Sequence, residues 1–237
     1  MQPIIRGEKK LTLKQFIKEL NGNRVEGELI KTVLYSLMIS TAILILLYIF
    51  RFQFITDFFD RQGYFLFFAA LQYALITPLV RQVRAYKEFP CMTGMMIGMT
   101  SGMISGFMSG FLTSATNGMF YGSVFGMALG MFIGVWMGRC CGIMGVMEGI
   151  MAGFMGGLMG GMTALMLLNE NLHAATIIIF LVSATIIILL NYLIYHEMKE
   201  TEKQKQQDHT LTIALTALFI LATSWLMAFG PRSALFS

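Results

Sequence analysis

Methionine and cysteine carry most of the chemistry available to this chain, and both are concentrated in one stretch. Seventeen of its 21 methionines lie between residues 92 and 166. They are periodic: Met95, Met99 and Met103; then Met119, Met127 and Met131; then Met147, Met151, Met155 and Met159. Residues four apart share one face of a helix, so each run reads as a thioether stripe. Thioethers are neutral, polarizable ligands that favour Cu(I) and, by the same softness, Ag(I). Successive sites one turn apart, about 6 Å along the helix, would be weak and multiple, as ion passage requires. Three cysteines flank the stripes. Cys91 precedes the first, and Cys140 and Cys141 separate the second from the third. Met95, Met99, Met103, Met127, Met131, Met147, Met151, Met155, Met159, Cys91, Cys140 and Cys141 are therefore the candidate ligands for Cu(I) or a similar soft metal. The competing reading is packing. Methionine fills gaps beside small residues, and a vicinal cysteine pair lacks the two-residue spacing of familiar thiolate sites.

The MxxxM pattern (Met95/Met99/Met103, Met127/Met131, Met147/Met151) beside GxxxG resembles motifs in the transmembrane helices of the high-affinity eukaryotic copper transporters. The resemblance implies thioethers lining a Cu(I) path and small residues that let helices pack around it. It is confined to residues 92–166, and this chain spreads the motifs over three helices. It is a likeness of chemistry and not of membership.

Other polar groups are sparse. Glu148 is the one acidic residue well inside an apolar stretch, and an intramembrane carboxylate is by default a functional candidate. It is the candidate ion-path residue, with pairing to Arg139 as the structural alternative. Asn117 and Asn191 read as local hydrogen-bonding groups, and His173 as part of a solvated loop with Asn169, Glu170 and Asn171. Ser/His/Asp arrangements, phosphate loops and HxxxH pairs are absent from the sequence. The glycine strings lie inside apolar segments rather than after strands, which excludes a dinucleotide fingerprint. The chain does not read as an enzyme.

The elements that must position these residues are marked by glycine. Three registers are spaced by four: Gly94 to Gly110, Gly118 to Gly142, and Gly145 to Gly161. In a water-soluble helix each glycine would cost about 1 kcal/mol relative to alanine. In a bilayer the same ridge is a packing seam that lets backbones approach. Gly98, Gly102, Gly106, Gly122, Gly126, Gly130, Gly149, Gly153 and Gly157 are the predicted packing residues. Ser101, Ser105 and Ser109 run beside the first ridge and could hydrogen-bond across it, while Gly156 and Gly160 make a second seam. In the first two helices methionine follows glycine directly, about 100° around the helix; in the third it follows by two, about 200° around.

The chain is 56% hydrophobic and 13% charged. Hydropathy predicts seven spans, near 33–51, 63–80, 93–115, 117–138, 143–168, 174–195 and 210–229, each long enough for a hydrocarbon core of about 30 Å. With the N-terminus inside, 14 of the 17 basic residues fall on the cytoplasmic side, in accord with the positive-inside rule. Residues 12–21 read as an amphipathic helix on the membrane surface. The net charge of +4 belongs to membrane-flanking residues and implies no nucleic-acid partner.

The expectation is an all-α, polytopic membrane protein of about seven transmembrane helices with a tightly packed glycine-zipper core of three. Its parts are a cytoplasmic segment with the amphipathic helix (1–32), two apolar helices and a basic loop (33–92), the Gly/Met core (93–168), and two C-terminal helices with a charged cytoplasmic loop (169–237). It would lie in the plasma (inner) membrane with the N-terminus cytoplasmic and the C-terminus outside. Its partners would be the lipid bilayer, a metal ion, and copies of itself or a membrane complex. The favoured function is a transporter or channel for a small cation, Cu(I) foremost. The alternative is a non-transporting structural or accessory subunit whose glycine seams mediate packing and oligomerisation.

Overall fold

The computed structural model describes residues 27–50, 58–85, 90–168, 171–198 and 209–229. They are almost entirely helical, without strands: α1 (Gly27–Phe50), α2 (Phe58–Ala85), α3 (Cys91–Asn117), α4 (Met119–Gly138), a 3₁₀ turn (Arg139–Cys141), α5 (Gly142–Met166), α6 (Leu172–Met198) and α7 (His209–Phe229). Four stretches are long and apolar enough to cross a membrane: Gly63–Arg84, Cys91–Asn117, Met119–Met166 and Leu172–Ile194. The apolar parts of α1 and α7, Thr32–Leu46 and Ala214–Met227, are shorter. The expected surface helix at 12–21 lies outside the described residues.

Two tight reversals make α3, α4 and α5 consecutive antiparallel neighbours. Between α3 and α4 a single residue, Gly118, turns the chain at φ +94°, a region that L side chains avoid. After the 3₁₀ turn Gly142 does the same at φ +70°. The 48-residue stretch Met119–Met166 is thus a hairpin of two helices.

The glycine ridges meet in layers. A Cβ on Gly102 would stand 3.1 Å from the Gly134 Cα and 3.1 Å from the Gly149 carbonyl oxygen. One turn further, a Cβ on Gly130 would meet the Gly106 Cα at 2.7 Å and the Gly153 Cα at 3.0 Å. The next layer joins Gly110, Gly126 and Gly157. Each layer takes one glycine from each helix, with α3 and α5 parallel and α4 antiparallel to both. The second seam of α5 is used as well: Gly156 lies on the Met103 backbone and Gly160 on Phe107 and Phe111. Without side chains at these points the backbones touch, which is how helices associate where no hydrophobic drive exists between them.

The opposite side of α3 is packed conventionally. Ile97, Met108, Phe111 and Leu112 are fully buried there, in a core shared with Tyr73, Ile76 and Leu79 of α2 and Ile220 and Met227 of α7. Tyr73 stacks on Phe219 at 5.6 Å. At the far end of α3 the Asn117 amide donates to the Leu226 carbonyl at 2.7 Å, tying the glycine core to α7.

Candidate functional site

The serine row of α3 does not reach across the seam. Beyond the row, Thr113 donates both to the Ser109 carbonyl of its own helix at 2.5 Å and to the Gly122 carbonyl of α4 at 3.3 Å, but Ser101, Ser105 and Ser109 each donate to the carbonyl four residues back in the same helix, at 2.6, 2.7 and 2.6 Å. This is the local option open to any helical Ser or Thr. It satisfies the hydroxyl without a partner helix and keeps the ridge thin, correcting the expectation of cross-helix bonding.

The methionine stripes face away from the core. Met147, Met151, Met155 and Met159 are 58%, 61%, 57% and 54% exposed, on the side of α5 remote from both glycine seams. Met99 and Met103 are exposed on α3, while Met95, Met127 and Met131 are half-buried. The buried methionines among the described residues are Met108, Met137 and Met227, which were not among the candidate ligands. The core axis is occupied by touching glycine backbones, so thioethers are excluded from it.

The three cysteines, by contrast, meet. A Cβ on Gly94 would stand 2.9 Å from the Cys140 sulfur and 2.9 Å from the Cys141 sulfur. The Cys141 thiol donates to the Cys91 carbonyl at 2.6 Å. Cys140 donates to the Met137 carbonyl at 3.1 Å. The cluster is open, with Cys91 and Cys140 exposed and Cys141 half-buried. Two constraints build it: Cys91 opens α3 behind Pro90, and the 3₁₀ turn carries Cys140 and Cys141 over the small Gly94. Desolvation raises the Cys140 thiol, and desolvation followed by the Cys91 thiol pushes Cys141 up to about 11. Cys141 is therefore a neutral thiol near pH 7. Among the described residues no group of three or more His, Cys, Asp or Glu side chains has a geometry that would hold a metal ion.

Glu148 is half-buried on α5, and among the described residues no ion pair joins it to Arg139. His173 lies in the first turn of α6 rather than in a loop. Its ring packs 4.6 Å from that of Tyr64 and 5.7 Å from that of Phe65, and its carbonyl accepts the Tyr64 hydroxyl at 2.9 Å.

A polar group that the sequence reading placed in a loop is inside α2. Arg81 is buried and donates to the Thr32 hydroxyl of α1 at 2.7 Å. One residue on, the Gln82 amide donates to the Asn191 carbonyl of α6 at 3.4 Å. Gln72 is buried as well, with neither amide atom hydrogen-bonded. These α2 positions were detectable only as isolated polar letters in an apolar helix.

Compared with known protein families, with curated proteins and with solved structures, the chain matches none.

Proposed function

We propose that this chain is a multi-pass protein of the plasma (inner) membrane, crossing it seven times through α1 to α7 from a cytoplasmic N-terminus, and that it serves as a non-transporting structural or accessory subunit. One observation carries the choice. The glycine faces of α3, α4 and α5 are spent on one another, while the methionine stripes of α3 and α5 turn outward. A conduit for Cu(I) would need thioethers from several helices gathered around one axis, and here that axis is solid backbone. The glycine seams are likewise consumed within the chain, so contact with a second copy or another membrane protein would use the methionine-rich outer surface. Such flexible side chains adapt to varied neighbours, lipid included.

The test is flux. Purified protein in liposomes enclosing a Cu(I) or Ag(I) indicator should give no uptake beyond protein-free vesicles. Protein-dependent uptake that disappears when Met147, Met151 and Met155 are changed to Leu would overturn the proposal in favour of transport.

A further inference from the structure

We propose that the thiol cluster where the 3₁₀ turn docks on the start of α3 is a binding site for one soft monovalent cation, Cu(I) or Ag(I), held between Cys91 and Cys141. It is a static site and is independent of the subunit reading above.

Three observations support it. The two cysteines belong to segments 50 residues apart, yet the Cys141 thiol donates to the Cys91 carbonyl at 2.6 Å, so the fold and not local sequence brings them together. Thiolate is the ligand such cations prefer, and two sulfurs complete the linear coordination common to Cu(I) and Ag(I). Zinc asks for four ligands, more than the described side chains gather here. The cluster is also reachable, since Cys91 and Cys140 are exposed, whereas Met147, Met151, Met155 and Met159 lie along another helix face. Gly94 makes room: a methyl group there would press on the sulfurs of both Cys140 and Cys141.

Binding is a simple displacement. Each thiol gives its proton to solvent, two sulfur–metal bonds form, and nothing is oxidised or reduced. The hydrogen bond from the Cys141 thiol to the Cys91 carbonyl is given up.

The full chain in detergent, kept reduced, is titrated with Cu(I) against a chromophoric Cu(I) chelator. The site predicts one tightly held Cu(I) per chain, with an X-ray absorption spectrum of two sulfur neighbours. Cys91→Ser and Cys141→Ser should each weaken binding by more than the roughly 10–100-fold that loss of a mere supporting group costs. Gly94→Ala should weaken it with every ligand still present. The Met147→Leu/Met151→Leu/Met155→Leu protein should bind like the parent. Circular dichroism of each variant separates ligand loss from misfolding, and exposed Cys91 is the position where substitution least disturbs packing. Absence of stoichiometric Cu(I), binding unchanged in both cysteine variants, or binding lost with the methionines would overturn the proposal. None of these results depends on whether liposomes show flux.

Discussion

Gly130 is the position where the layered core can be tested most sharply, because a single added methyl group would meet both neighbouring helices. In Gly130→Ala the new Cβ would stand 2.7 Å from the Gly106 Cα, 2.9 Å from the Gly102 oxygen and 3.0 Å from the Gly153 Cα, where 3.4–4 Å is ordinary contact. All three obstacles are backbone, so no rotamer change relieves them. Overpacking of this kind costs about 1–3 kcal/mol, and contact with two helices at once places it at the upper end. Alanine's better helix propensity returns about 1 kcal/mol, leaving a net loss of about 2 kcal/mol. Gly94→Ala is the matched control. It is the same substitution, in a helix of the same core, but its neighbours are the Cys140 and Cys141 sulfurs, which can swing aside, so its net change should be near zero. Titrating SDS into protein in mild micelles, followed by the fluorescence of Trp136 on α4, would measure both. A gap of 2 kcal/mol is a shift of roughly 30-fold in the folding equilibrium. Equal stability of the two variants, or a more stable Gly130→Ala, would refute the layer.

Other consequences are as specific. Changing Met151 and Met155 to Leu should shift stability by no more than about 0.5 kcal/mol, as for surface positions generally, in the same SDS titration; a loss of several kcal/mol would mean they are core. Arg81→Met should destabilise by about 1–3 kcal/mol, because it removes the buried charge-assisted hydrogen bond from the guanidinium to the Thr32 hydroxyl at 2.7 Å, as the same SDS titration would measure. The raised Cys141 thiol gives an alkaline signature: its contribution to stability is full below about 9, the ordinary thiol value, and is lost as pH rises toward about 11. Thermal melts of the parent should fall over that window, and Cys141→Ser should flatten the fall.

Much of the core was legible in the sequence because glycine at every fourth position leaves few interpretations. With Gly118 and the Arg139–Cys141 turn as the only links, α3, α4 and α5 had to be neighbours. The 200° separation of Met155 from Gly153 on α5 already placed that stripe opposite the seam, and the structure turns it outward. Topology also put Cys91 at the same end as Cys140 and Cys141, though not in contact; their meeting depends on Gly94, whose role is steric and leaves no trace in a motif. The hydroxyls of Ser101, Ser105 and Ser109 were misread because a helical serine has two options, and only coordinates tell a bond to its own carbonyl from one across a seam. Arg81 was misplaced for a related reason. Counting basic residues for topology treats each as a loop marker, while here Thr32 on α1 offers an acceptor that lets the arginine stay within the helix.

If glycine backbone fills the axis between α3, α4 and α5, the exposed methionines of α3 and α5 should face lipid. Spin labels at Met99, Met151 and Met155, each introduced through cysteine in a protein whose native cysteines are serine and reconstituted in bilayers, test it through collision with oxygen and with a water-soluble nickel chelate. High oxygen and low nickel accessibility at all three sites, with no short label-to-label distances between Met99 and Met155, is the predicted result. Nickel accessibility at these depths, together with labels converging on one another, would mean that the stripes line an aqueous path, and would contradict the account.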